Sequence, residues 1–305
     1  MKRFLVPLFA VLLLSTLQAE EPETIHYRDR TFDYRSEDTL DLSREFSPWR
    51  FAAMASLTSA SFIAAYVFVF EKGWWDNEES SFHFENDFEY ALNLDKLGHF
   101  MGGVLLSEVF YEGYRWSGVS EGYSYLFSGI SASLVHVGID IKDGYSPEWG
   151  FSIFDVLAGT LGGFYPMAKR YIPAFKYFDV KMSYWMNSKA YFRQSETDIV
   201  TDDYVNQTYW LSLKIHRLLP ASIREYYPMW LAFAAGVSVN EDTFIRGRKG
   251  KREVYLALDY DFEAFRPKSR LARQIVKFVN YIKFPAPTVQ IYPERKFFWL
   301  YPIRF

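Results

Sequence analysis

The chain contains no cysteine. That excludes disulfides, thiolate metal sites, a cysteine nucleophile and lipidation of an N-terminal cysteine. An excess of one charge is also missing, with 34 Lys and Arg against 37 Asp and Glu, a net of −3. A broad nucleic-acid-binding surface is excluded on that ground. No G-x-S-x-G elbow, Walker loop, G-x-G-x-x-G turn or H-E-x-x-H helix occurs. The short motifs of serine hydrolases, nucleotide sites and zinc proteases are therefore absent. There is no internal repeat and no low-complexity tract.

What is present is apolar and aromatic. Half of the 305 residues are hydrophobic and a fifth are aromatic, with 23 Tyr, 29 Phe and 9 Trp. Rings with one polar end suit membrane-interface belts and β-sheets. The length suits two domains or one large one.

Met1 to Ala19 reads as a secretory signal. Lys2 and Arg3 form a positive start, Phe4 to Leu14 an apolar stretch, and Leu17-Gln18-Ala19 a cleavage tripeptide. The alternative is a short membrane anchor, but the apolar run is too short to span. Residues 20–47 are polar, without a sustained period, and read as an extended or loosely ordered arm. Phe51 to Phe70 is uncharged and flanked by Trp49, Arg50, Trp74 and Trp75. Those flanks and that length fit a transmembrane helix, and the alternative is a buried core helix. Three further helices are expected: one from Asp95 to about Tyr114, one over Tyr123 to Ile139, and one from Ser152 to Met167. Gly102 and Gly103 permit close backbone approach. Residues 48–173 thus form a helical unit of membrane type.

Beyond Ala174 the pattern alternates. Phe178, Val180 and Met182 oppose Asp179, Lys181 and Ser183, and the same period recurs at Tyr209–Ile215, Leu231–Val239, Val254–Phe262, Val289–Tyr292 and Phe297–Phe305. A two-residue period predicts antiparallel strands. About six strands are fewer than the roughly eight of a closed single-chain barrel, so a sheet packed on the helical unit is expected. Asn240 to Arg252 reads as the loop of a hairpin. Pro267 to Lys283 is a basic amphipathic helix, suited to an anionic membrane surface or to covering the sheet. The fold class is α+β: an N-terminal helical bundle, then, over 174–305, an antiparallel sheet with one long amphipathic helix.

One stretch carries chemistry. Asp95 and His99 are four residues apart, as are His136 and Asp140, so each pair shares a helix face. Asp143, Glu148 and Asp155 follow closely. If these elements converge, two imidazoles and several carboxylates meet, which suits a divalent metal or general acid–base work. Lys96 and Lys142 are the cations available to buried acids. The competing reading gives Asp95 and Asp155 only helix-capping roles and makes both imidazoles satisfied core groups.

The residues Asp95-Lys96-x-x-His99-Phe100, then Asp143-Gly144-x-Ser146-x-Glu148-Trp149-Gly150-x-Ser152-x-x-Asp155 and Leu161-Gly162, resemble the YfiM-like family of predicted periplasmic lipoproteins, a domain of unknown function. The Asp-Lys-x-x-His start is more distantly similar to VanZ-like membrane proteins. The likeness covers about Asp95 to Pro166. The later Gln207-Thr208-Tyr209-Trp210-Leu211-Ser212 and Lys283-x-Pro285-Ala286-Pro287 look like longer members with an added β-rich half. Two departures stand out: there is no cysteine to lipidate, and Gly159 stands where the family pattern has Asn. The resemblance implies an envelope location and no defined activity.

Three functions remain open at this stage. One is an exported envelope protein that binds lipid or another envelope component through an apolar groove, with Asp95, His99 and Asp155 placing a head group. Another is a hydrolase of a lipid or cell-wall precursor, with His99 or His136 as base and Asp140 or Asp143 orienting it. The third is an outer-membrane β-protein with a helical plug. Ligand, metal, cofactor and oligomeric state stay open.

Overall fold

The computed structural model describes residues 24–27, 30–33, 45–65, 75, 79–193, 200–265 and 267–303. The expected signal sequence at 1–19 and the end of the uncharged run, 66–70, lie outside them. Within the polar arm, β1 (Thr24–Tyr27) and β2 (Arg30–Asp33) pair antiparallel. Helix α1 (Pro48–Ala65) covers the described part of the uncharged run. Its Trp49, Phe51, Leu57 and Ile63 are exposed, so it is not the buried core helix of the alternative reading.

The helical unit is built from α2 (Leu94–Trp116), α3 (Glu121–Asp143) and α4 (Ile153–Tyr171). Ser152 caps α4, its Oγ accepting from the Asp155 backbone N–H at 3.2 Å. Glycine sets the approach of α2 to α4. A Cβ on Gly162 would sit 1.9 Å from the Phe100 carbonyl oxygen, and one on Gly103 would sit 2.1 Å from that of Gly159. No side chain fits there, so the two backbones touch.

Gly159 has a second reason to be glycine. A Cβ there would fall 2.3 Å from the His136 ring. The volume that a side chain at 159 would take is filled by the His136 imidazole from α3. Gly159→Asn therefore destabilises the protein by about 2–3 kcal/mol, the usual cost of overpacking. Adding His136→Ala recovers at least half of that loss in a denaturant titration. Equal losses with and without His136 would refute the exchange of volumes.

The second half is a six-stranded antiparallel sheet in simple sequential order: β3 (Phe178–Tyr184), β4 (Gln207–Leu213), β5 (Leu231–Val239), β6 (Arg252–Tyr260), β7 (Ala286–Tyr292) and β8 (Lys296–Tyr301). All six expected strands form, and residues 240–251 connect β5 to β6 as the hairpin reading requires. The sheet also curls. The Met182 N–H of β3 donates to the Tyr281 carbonyl at 2.9 Å, and the Lys283 N–H donates to the Met182 carbonyl at 2.8 Å. The chain leading into β7 thus covers the free edge of β3. Across the interior, Thr208 of β4 and Tyr301 of β8 share a hydroxyl hydrogen bond at 2.7 Å.

The alternation is inverted relative to a soluble sheet. Asp179, Lys181, Ser183, Ser212, Glu253, Asp259, Thr288 and Gln290 are buried, with Trp210, Tyr255 and Tyr301 among them. The opposite face, with Leu211, Phe233, Leu256, Val289 and Phe297, is exposed. Its β3–β5 corner is covered, where Val180, Met182, Tyr209 and Val237 pack with α2 residues such as Met101 and Val104. A buried charge must be paired or hydrogen-bonded; Glu253 accepts from the Ser238 and Tyr255 hydroxyls, and the lysines and aspartates form ion pairs. Lys181 Nζ lies 2.8 Å from Asp259. Asp179 meets Lys169 of α4 at 2.5 Å and Lys214 at 2.9 Å, and Glu263 meets the same two lysines at 2.7 and 2.5 Å. Lys169 therefore ties the helical unit to the base of the sheet.

Helix α5 (Arg270–Val279) is shorter than expected and also faces the unexpected way. Its polar side is turned inward: Lys277 meets Glu108 of α2 at 2.5 Å, and Gln274 donates to Glu112. Leu271 and Ile275 are left outside.

Candidate functional site

A strained turn delivers the first site residues. Ala91, Leu92 and Asn93 all have positive φ, at 46°, 55° and 69°. Non-glycine residues rarely adopt that conformation. Arg252 of β6 holds the turn, its Nε donating to the Leu92 carbonyl at 2.9 Å and its Nη2 to Asn93 Oδ1. Asp95 and Lys96 follow at once in the first turn of α2.

Lys96 is the centre of the cluster. Its Nζ lies 2.5 Å from Asp87, 2.6 Å from Asp95 and 2.6 Å from Asp155. His99 Nε2 is 3.5 Å from Asp95 Oδ1 and 3.6 Å from Asp155 Oδ1. The Tyr204 hydroxyl, from the loop before β4, donates to Asp95 Oδ1 at 2.6 Å. Ser152 Oγ donates to Asp87 Oδ1 at 2.5 Å. The His99 and His136 rings stand 5.6 Å apart, centre to centre.

The charges order themselves by proximity. Burial opposes ionisation of Asp95, but hydrogen bonding from His99 and the Lys96 charge outweigh it and hold Asp95 below the usual carboxylate range. Burial likewise opposes the His99 cation, and the Asp95 and Asp155 carboxylates outweigh it, raising His99 to about 9. Asp155 goes the other way, to about 8, because it is buried as a further acid beside Asp95 and Asp87. Burial raises Asp140 to about 7. It raises Asp143 to about 6 although the Trp75 indole N–H donates to Asp143 Oδ1 at 2.7 Å. His136 is pushed down to about 4 by burial and by the His99 charge. At neutral pH His99 is charged and His136 is not.

Of the residues singled out in the sequence, Asp95, Lys96, His99 and Asp155 form one cluster. His136 and Asp140 line its α3 side, both buried. Both His136 ring nitrogens and Asp140 Oδ2 have no hydrogen-bond partner among the described residues. Asp143 is turned to Trp75 instead. Glu148 is exposed on the loop after α3, where its own N–H donates to Ser146 Oγ. Lys142 pairs with Glu79, outside the cluster. Sequence reasoning missed Asp87 and Tyr204. Asp87 lies before the first turn of α2, outside the spacings that mark the site, and Tyr204 is 109 positions from its partner Asp95. No local period could join those two. Asp95 and Asp155 are not the caps, which are Asn93 and Ser152; each is an ion-pair partner of Lys96.

The arrangement can hold a cation, a proton or a head group, since donors and acceptors converge within one buried volume. The hydrolase dyads are not formed, because His99 pairs with Asp95 and Asp155, and His136 with neither Asp140 nor Asp143.

No curated protein and no solved structure matches the chain. A family model does match, and its span holds every cluster residue except Tyr204. It supports a domain-of-unknown-function family without bearing on the YfiM-like or VanZ-like names. Residues 72–167 match the model of a family described as predicted periplasmic lipoprotein (DUF2279), which is consistent with an exported, envelope-associated protein of uncharacterised function.

Proposed function

We propose that this is a non-enzymatic envelope protein that lies against a lipid bilayer, with its outer apolar surface in contact with acyl chains. The inverted sheet carries this reading. Water favours apolar-in, polar-out alternation; the reverse is favoured when the outer medium is hydrocarbon. Helix α5 supports it, with Lys277 and Gln274 inward and Leu271 and Ile275 outward. So does α3, whose buried stripe includes Ser124, Ser128, His136 and Asp140 while Tyr123, Phe127, Ile130 and Leu134 are exposed. Trp230, Trp299 and Tyr292, also exposed, supply amphipathic rings of the kind found at lipid–water boundaries. Among the described residues one helix, Glu121–Asp143, is long and apolar enough to cross a membrane. Contact with lipid along the sheet does not depend on a crossing.

The test is flotation of the full chain with phosphatidylethanolamine–phosphatidylglycerol vesicles. Wild type is expected to float. The triple variant Leu211→Asp, Phe233→Asp, Leu256→Asp is expected to remain with the aqueous fraction, since each substitution removes about 1–2 kcal/mol of apolar transfer and adds a charge. Its folded stability in detergent should change little, because these side chains are exposed in the fold. A monodisperse wild-type protein in detergent-free buffer, with no affinity for vesicles, would end the proposal.

A further inference from the structure

We propose that the buried cluster between α2, α3 and α4 is a binding site for one divalent transition-metal ion, held by His99, Asp95 and Asp155 with His136 as a further donor. The inference does not rest on lipid contact. Its first ground is geometry. One ligand atom each from Asp95, His99 and Asp155 lies within 4.8 Å of the other two. His99 Nε2 is 3.5 Å from Asp95 Oδ1 and 3.6 Å from Asp155 Oδ1. Donors about 2.0–2.2 Å from a common ion stand roughly that far apart.

The second ground is independent of the acids. His136 is 5% exposed, and both of its ring nitrogens lack a hydrogen-bond partner among the described residues. Its ring stands 5.6 Å from that of His99. A buried polar group without a partner is costly and calls for an explanation such as an ion. Gly159 and Gly102 leave room for this ring and press on it: Cβ atoms built there meet His136 at 2.3 and 3.4 Å. Asp140, 1% exposed, adds a free Oδ2 on the same helix face.

The third ground is charge. Asp87, Asp95, Asp140 and Asp155 are four acids around the single lysine, Lys96. Lys96 uses Asp95 Oδ2 and leaves Oδ1 to His99 and Tyr204. A divalent ion here takes the place of the proton on His99 and leaves the lysine where it is. The Tyr204 hydroxyl then orients a ligating carboxylate, a role typical of the outer shell of metal sites. The imidazole donors favour a zinc-like ion over Ca²⁺ or Mg²⁺, which prefer oxygen.

The experiment uses the tag-free full chain in detergent, stripped with chelator and titrated with Co²⁺ and then Zn²⁺. One equivalent of Co²⁺ per chain is expected, with visible absorption bands that Zn²⁺ abolishes and a large excess of Ca²⁺ does not. His99→Gln and His136→Gln should each weaken binding by about 100-fold or more, and Tyr204→Phe by about 10- to 100-fold. Circular dichroism checks that each variant is folded. Tyr204→Phe keeps the ring packing and serves as the decisive variant if a histidine variant unfolds. Absence of saturable Co²⁺ or Zn²⁺ binding to folded wild type would overturn the proposal. So would one-to-one binding that both histidine variants, or Tyr204→Phe where they fail to fold, retain unchanged.

Discussion

Lys96→Met is expected to lower folding stability by about 3–5 kcal/mol, the cost of breaking a buried ion pair by removing one partner. The ammonium touches three carboxylates at 2.5, 2.6 and 2.6 Å, so its loss leaves three acids facing one another around His99. Asp95 and Asp155 are both buried and cannot recover hydration by a small movement. The check is denaturant unfolding of the detergent-solubilised, chelator-treated protein. The double variant Lys96→Met, Asp155→Asn should be less destabilised than the sum of its parts, since both changes remove the same Lys96–Asp155 contact. A loss under about 1 kcal/mol, the range of an exposed pair, would mean that water reaches this cluster freely.

The second large effect is expected at Asp179. Its carboxylate receives Lys169 from α4 at 2.5 Å, Lys214 at 2.9 Å, and the Asn280 amide at 2.8 Å. One acid thereby joins the helical unit, the end of β4 and the segment after α5. Burial opposes its charge, and Lys169 and Lys214 outweigh it, holding Asp179 far below the usual carboxylate range. Asp179→Asn leaves the two lysines to Glu263 and Asp261 and should cost about 3 kcal/mol, the loss of one buried partner. Limited proteolysis should then cut near residues 172–178, the junction between the two halves. The control is Glu121→Gln, which removes the partly exposed ion pair with Arg170 and should cost less than about 1 kcal/mol. Equal effects at the two sites would refute the assignment of Asp179 as the tie between the halves.

Much of this was written in local pattern. The two-residue period predicted each of the six strands, because alternation reports that a strand has two unlike faces whichever one is buried. Ser152 and Asp155 announced the start of α4 through capping chemistry. The four-residue spacings Asp95–His99 and His136–Asp140 marked two helix faces that do meet. Other features had no local signature. Tyr204 reaches Asp95 and Arg252 holds the turn at Asn93 only because β4 and β6 are folded against the start of α2. Glu148 resembled its acidic neighbours in sequence, yet the loop turns it out to solvent. Gly159 read as a missing polar group, whereas its space is taken by His136 from a different helix.

Sequence by itself determined the α+β class, the order of elements and the inventory of acids, lysines and imidazoles around Asp95. It did so because capping, helical spacing and strand alternation depend on neighbours a few residues away. Tertiary structure alone decided which face of each element is inside. An alternating strand reads the same with its lysines in or out. Only the pairing of Lys181 with Asp259 and of Lys169 with Asp179 makes the polar face the buried one. That choice turns Leu211, Phe233 and Leu256 outward, because a buried charge is stable only beside its partner, and those partners come together only when the sheet curls over them.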